Sequence, residues 1–304
     1  MPVPLLRAAR LLSYDETELT WYEGGRRDGV PMILCNGLGA GWQIWAPLVE
    51  RFAEEFRILS WDYRGIYGSG PALDPEDYAL THHVRDLLFL LERERVKHPV
   101  LLGWSMGTQV ALELHRTHPD LARGLVLLNG VAGHPLRLAF DSPRSEQLAR
   151  VAFRLMRVVG RGFNGLGGLL AGSRLVSDGF VSIGQWLRVM APDLDRDRFQ
   201  EIAVDWAQLD LRAYAEIFEL LNEHDAADLL ASISTPTLVI AGGQDRFIPE
   251  HRARDLAKRL PRAELHVVPA ATHFGLLEYP EEINDAVERY LRETLGIVRE
   301  PKAS

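Results

Sequence analysis

One cysteine, Cys35, stands among 304 residues, so the chain makes no internal disulfide and no thiolate metal cluster. Nor does any apolar run approach the roughly 20 residues that span a bilayer. The opening MPVPLLRAARLLSYDETE breaks its short apolar pieces with Arg7, Arg10 and Asp15. It has no charged start, apolar middle and small-residue cleavage site of the kind that marks a secreted precursor. Basic charge is also scarce: 34 Lys and Arg face 42 Asp and Glu, a formal net charge of −8. That balance argues against nucleic acid as a partner, because phosphate binding needs a basic footprint. Membrane contact is not expected, and the expected location is cytoplasmic. Internal repeats are absent. What remains, 47% hydrophobic and 25% charged, is the composition of a globular protein with a sizeable core.

Short apolar runs recur along the chain. After two β-type stretches at 8–14 and 17–23 come Pro31–Cys35, Phe56–Trp61, Val100–Leu102 and Gly124–Leu128. They read as strands buried on both faces, separated by helical patterns at 43–54 and 81–94. Alternation of strand and helix predicts a mostly parallel sheet flanked by helices, an α/β fold. The rhythm stops near Gly133-His134-Pro135 and resumes at Thr237–Ile240, followed by a helix at 250–260, a strand at Glu264–Val268 and a helix at 280–294. Residues 135–230 read instead as helical, with apolar residues at Leu148, Val151, Ala152, Leu155, Met156 and Val159. The economical division is a core over 1–134 and 231–304 interrupted by a helical cap over 135–230. Arg150, Arg154, Arg157 and Arg161 share one helical face in it, which reads as a solvated face pairing with the acidic stretch 193–228.

Within LLGWSMGTQVALEL the character switches at Ser105, from an apolar strand to helical spacing at Val110, Ala111 and Leu114. Gly103-Trp104-Ser105-Met106-Gly107 matches G-x-S-x-G, a turn so tight that the flanking positions must lack side chains. A serine hydroxyl needs a base to take its proton and an acid to orient that base. Of ten histidines, His273 follows the last predicted strand, at the sheet edge where α/β folds gather their chemistry. His82, His83, His115 and His118 sit in or beside helical stretches and are expected at the surface. Asp245 follows the strand ending at Ile240 and is the candidate acid, while Asn129 stands at the end of the preceding core strand and supplies no carboxylate. Asp245 also fits a plain helix-capping role. Backbone N–H groups of Met106 and of Leu38, in Asn36-Gly37-Leu38-Gly39-Ala40-Gly41, are the candidate oxyanion donors. That loop lacks the Gly-Lys-Ser/Thr ending of a phosphate loop. Cys35, in a buried strand, reads as an inert small hydrophobe.

Four stretches in order resemble the α/β-hydrolase fold superfamily with a helical cap. Asn36-Gly37-Leu38-Gly39 is similar to its His-Gly-x-Gly, Asp62-Tyr63-Arg64-Gly65-Ile66-Tyr67-Gly68-Ser69 to its Asp-x-Arg-Gly-x-Gly-x-Ser, and the GWSMG elbow and GGQDRFIP with THFGLLEYP complete the set. They span residues 31–285. Two departures stand out: Asn36 replaces the histidine, and Tyr67 is an extra residue before the glycine. Asp62, Arg64 and Ser69 read as loop architecture. The resemblance implies a Ser105–His273–Asp245 triad, no cofactor and no metal, and a small-molecule ester as substrate. Serine at the elbow sets the chain apart from the epoxide hydrolases and haloalkane dehalogenases, which carry aspartate there, and from the cysteine-bearing polymer synthases.

The expected activity is that of a serine esterase, a carboxylesterase for small-to-medium hydrophobic acyl groups. Trp104, Phe163, Leu166, Leu170, Phe180, Trp186 and Trp206 are the candidate pocket residues, and FNGLGGLLAG a candidate lid. C–C bond hydrolysis, perhydrolysis and depolymerisation of an intracellular polyester are alternatives. CNGLGAGWQIW with GWSMG bears some likeness to the polyester depolymerases. A non-catalytic small-molecule binder with a vestigial triad is the alternative of another class.

Overall fold

The computed structural model describes residues 5–135, 147, 151, 174–206 and 208–297. Eight strands form one sheet: β1 (Arg7–Leu12), β2 (Glu18–Gly25), β3 (Val30–Cys35), β4 (Phe56–Trp61), β5 (Val100–Trp104), β6 (Gly124–Leu128), β7 (Thr237–Gly242) and β8 (Ala263–Val268). Their spatial order is β1-β2-β4-β3-β5-β6-β7-β8. Only β1 and β2 run antiparallel to their neighbours; β4, β3, β5, β6, β7 and β8 are parallel. The reason lies in composition. Every residue of β5, β6 and β7 is buried, and a strand apolar on both faces requires helices on both sides.

Helices supply those layers. On one face α2 (Leu80–Arg93), α3 (Met106–Thr117) and the helix Glu250–Arg259 contribute Leu87, Val110 and Leu256 to a cluster with Ile33, Leu101 and Val239. On the other, α1 (Ala46–Phe52) and the helix Pro280–Arg289 bring Leu48, Val49 and Val287 against Leu34, Leu102 and Ile240. Each fully buried aliphatic side chain contributes roughly 1.5–3 kcal/mol to folding, so these two layers hold the sheet.

Register places the site. Cys35 pairs with Gly103, Trp104 with Leu128, and Leu128 with Ile240, so the strands end side by side. The loops beginning at Asn36, Ser105, Asn129 and Gly243 therefore emerge along one edge. Between β6 and β7 the described residues form the helices Arg174–Trp186, Arg196–Trp206 and Leu211–Glu223. Phe199 and Ile202 from the second of these join one core layer, and Ala213, Ile217 and Leu221 from the third join the other. Arg150, Arg154, Arg157, Arg161, Phe163, Leu166, Leu170 and the glycine-rich FNGLGGLLAG lie outside the described residues.

Two histidines expected at the surface are buried instead. His83 falls on the Leu80, Val84, Leu87, Leu91 face of α2 and is fully enclosed, its ring 4.8 Å from that of Tyr63. Burial, aided by nearby Arg64, pushes its pKa down to about 3, so it packs as a neutral ring. His115, on α3, is also buried. Arg64 itself is architectural: its Nε and Nη2 clasp both carboxylate oxygens of buried Asp86 at 2.6 and 2.7 Å, and Nη1 reaches Asp15 at 2.7 Å. This fork ties the loop after β4 to α2.

Candidate active site

Ser105 joins β5 to α3 with φ 55° and ψ −115°, a backbone conformation rare for a residue with a side chain. The glycines on either side make the turn possible. A Cβ on Gly103 would lie 2.4 Å from the Gly107 oxygen, and one on Gly107 would lie 2.0 Å from the Cys35 oxygen. Any larger residue would force the elbow off the sheet. The turn lifts the serine hydroxyl clear of β5 and leaves the first N–H of α3 behind it.

The structure brings Ser105, His273 and Asp245 together. Ser105 Oγ lies 3.1 Å from His273 Nε2, and His273 Nδ1 lies 2.7 Å from Asp245 Oδ2. Asp245 Oδ1 accepts from the N–H groups of Phe247 and Ile248 at 2.8 and 2.9 Å. The capping role and the partnership with histidine are thus both present, one on each oxygen. Leu38 and Met106 both line the cavity in front of the serine. Neither backbone N–H is taken by an acceptor among the described residues, which leaves both free for an oxyanion.

Several residues to which the sequence pattern assigned no positioning role hold this arrangement. Asn129, set aside for lacking a carboxylate, donates through Nδ2 to the carbonyls of Thr272 and His273 at 2.9 and 3.1 Å. Its Oδ1 accepts from Gly242 N–H at 2.9 Å, which ties the ends of β6 and β7 to the histidine loop. Trp104 donates its indole N–H to the His273 carbonyl at 3.0 Å. Buried Glu278 accepts from Thr272 N–H and Oγ1 and from Ala191 N–H, each at 2.7 Å, linking the histidine loop to the segment between β6 and β7. The only signal for these was position: a polar residue at a strand end, or within an apolar helical turn.

The two departures in the loops have visible consequences. Asn36 donates to the Trp61 carbonyl at 2.9 Å and accepts from Trp45 Nε1 at 3.1 Å, so it braces the candidate oxyanion loop from within. Tyr67, at φ 48°, donates its hydroxyl to the Gly39 carbonyl of the same loop. Beside it, Asp62 accepts from Tyr22 OH at 2.8 Å and Gly68 N–H at 3.1 Å.

Burial outweighs these bonds and pushes the Asp62 carboxyl up to about 7, with Asp205 adding to the effect. A carboxyl whose pKa is raised on folding binds its proton more tightly folded than unfolded. Its stabilising share is therefore complete below about pH 4 and is lost as pH rises toward 7. Thermal unfolding of Asp62→Asn and wild type should reveal it. The wild-type melting temperature is expected to fall relative to the variant between pH 4 and 7, and parallel profiles would rule it out.

A cavity of about 320 Å³ opens in front of Ser105, lined by Trp104, Val131, Trp206, Phe218, Ile248 and Phe274 among others. Among the candidate pocket residues, Trp104 and Trp206 face it. Phe180 stands one step back, stacked on Phe199 with ring centroids 6.1 Å apart and edge-on to Trp206 at the same distance. Trp186 does not join it: the residue is 81% exposed, on the far side of the helix Arg174–Trp186 from core residue Val181. Cys35 is fully buried and its thiol is pushed well above its ordinary pKa by desolvation. Among the described residues no group of three or more His, Cys, Asp or Glu is placed to hold a metal ion, and no helix is long and apolar enough to cross a membrane.

Residues 30–280 match the family model of the alpha/beta hydrolase fold. A putative carbamate hydrolase RutD of Pseudomonas syringae pv. syringae is 27% identical over 266 residues, covering 87% of this chain and 94% of that protein. The 3-oxoadipate enol-lactonase 2 of Acinetobacter baylyi is 23% identical over 294 residues, covering 95% and 99%. Among solved structures, the esterase EaEST of Exiguobacterium antarcticum superposes with a TM-score of 0.74 at 18% identity, covering 94% of this chain and all of that one.

Proposed function

The chain belongs to the alpha/beta hydrolase family and is a hydrolase, and from that premise we propose that it cleaves carboxylic esters of small-to-medium hydrophobic acyl groups through an acyl-enzyme on Ser105. The observation that carries this reading is the Ser105–His273–Asp245 chain of hydrogen bonds at the mouth of an apolar cavity. His273 Nε2 takes the Ser105 proton as Oγ attacks the acyl carbon, and returns it to the departing alcohol. Asp245 keeps the Nδ1 proton on the side away from serine and stabilises the imidazolium as it forms. Charge that gathers on the carbonyl oxygen is met by the N–H groups of Leu38 and Met106, the latter at the positive end of α3. Water, activated by the same histidine, then releases the acid.

The cavity is at the small end of the ligand-pocket range, which suits a short acyl chain. Residues 135–230 act in this reading as a cap on the core of 1–134 and 231–304. Support for it comes from Trp206 and Phe218, which reach the cavity from the inserted helices. The names of the relatives add a carbamate and an enol lactone to the substrates worth testing, since each offers an acyl carbon to the same serine.

Hydrolysis of a p-nitrophenyl ester ladder from acetate to palmitate tests the proposal. The expected profile peaks at a short or medium chain and falls steeply toward palmitate. No turnover at any length, on protein whose Ser105 fails to react with a fluorophosphonate, would sink it in favour of a binding role.

A further inference from the structure

Resting on the hydrolase reading above, we propose that Phe247 forms the alcohol side of the site and makes the protein selective for esters of arylmethyl alcohols. Among the described residues lining the cavity it is the one large apolar side chain at the surface, 45% exposed. Its ring stands 5.4 Å from that of His273, at an interplanar angle of 68°. Two further rings pack on the same imidazole, Trp104 at 5.3 Å and Phe274 at 6.1 Å, and both are buried. Of the three, Phe247 alone offers an uncovered ring to a molecule arriving from solvent.

The backbone holds that ring in place. Phe247 N–H donates to Asp245 Oδ1 at 2.8 Å and Ile248 N–H to the same oxygen at 2.9 Å. The turn that carries the acid therefore also fixes residue 247, and the buried side chain of Ile248 anchors it. A ring on a pinned backbone has little freedom to lose when a ligand packs against it.

The reaction decides which half of an ester faces this ring. A departing alkoxide takes its proton from His273 Nε2, so its oxygen must come within about 2.6–3.2 Å of that nitrogen. The carbonyl oxygen turns the other way, toward the N–H groups of Leu38 and Met106. Sheet order separates the two directions: Leu38 follows β3 and His273 follows β8, on opposite sides of Ser105 after β5. Phe247 follows β7, on the histidine side. The group bonded to the leaving oxygen thus runs along Phe247. A benzyl ring there forms an aromatic pair, which contributes beyond the area it buries. A methyl group forms none.

The test uses benzyl, cyclohexylmethyl and methyl butanoate. These share one acyl group and hence one acyl-enzyme, so their kcat/KM values differ only through the alcohol. The wild type is expected to favour benzyl over methyl about tenfold, and benzyl over cyclohexylmethyl about threefold, on the scale of one aromatic pair. Phe247→Ala should remove most of the first ratio and all of the second. Phe247→Leu, which keeps apolar bulk without a ring, should lose only the second. Ratios cancel any loss of folded protein, so a merely structural role for Phe247 would leave them unmoved. Wild-type ratios near one, or ratios unchanged in Phe247→Ala, overturn the proposal. So does a shift confined to the pair methyl 3-phenylpropanoate and methyl butanoate, which would put Phe247 on the acyl side. If these esters resist a protein that cleaves the p-nitrophenyl ladder, this proposal alone fails. If the ladder also resists, the hydrolase reading fails and this one with it.

Discussion

Alanine at position 105 is expected to lower kcat for the best p-nitrophenyl ester by about 10⁴- to 10⁶-fold, the loss seen when a triad loses its nucleophile. Among the described residues lining the cavity, none replaces the missing oxygen. Among its described lining residues no other hydroxyl lies within hydrogen-bond distance of His273 Nε2, which has Ser105 Oγ as its partner at 3.1 Å. The fold should be nearly indifferent to the change. Both serine and alanine carry a Cβ, so the positive φ of the elbow costs each of them the same, and one solvent-facing hydrogen bond is lost. Urea unfolding within about 1 kcal/mol of wild type together with a collapse of kcat is the expected pair of results. Activity retained within tenfold would mean that Ser105 is not the nucleophile.

Asparagine at position 245 is expected to cost about 10⁴-fold in kcat, and the hydrogen-bond pattern says why. Asp245 Oδ1 already serves two backbone donors, Phe247 and Ile248 N–H, so the single oxygen of an asparagine is held in that place. Its NH₂ then faces His273 Nδ1 at the position of the present 2.7 Å contact. Two donors cannot share that bond, so the ring must move its proton to Nε2. A histidine protonated at Nε2 cannot accept the Ser105 proton. The loop keeps its shape while the tautomer is wrong, so the variant should stay folded, bind substrate with a little-changed KM and turn it over very slowly. A loss below tenfold would assign Asp245 to turn capping alone and send the search for the acid elsewhere.

Much of this site is legible in order along the chain, for a specific reason. Short apolar runs mark strands buried on both faces, and a parallel sheet sends the loop after each such strand to one edge. Ser105, Asp245 and His273 each come after one of those runs, which is how three residues far apart in sequence can be picked out without any distance. Glycine at 103 and 107 carries the same kind of information, because only the absence of a side chain lets β5 turn so sharply against β3.

Other features depend on which faces meet. His83 reads in sequence as one of several helix-borne histidines, yet it lies on the face of α2 that turns inward, and burial makes it a neutral packing ring. Trp186 and Trp206 are equally apolar in sequence; one is at the surface and one lines the cavity because their helices present them to different neighbours.

By itself the sequence determined the features that local pattern controls: the alternation of strand and helix, the mostly parallel sheet, the elbow and the residues at the strand ends. Tertiary structure alone decided the contacts between distant segments. It set Asn129 against the histidine loop, Tyr67 against the loop after β3, and the order Gln109, His224, Glu113 beside the cavity. A hydrogen bond depends on the direction and separation of two atoms, and for residues 28 to 143 positions apart both are set only when the sheet and its helices have packed.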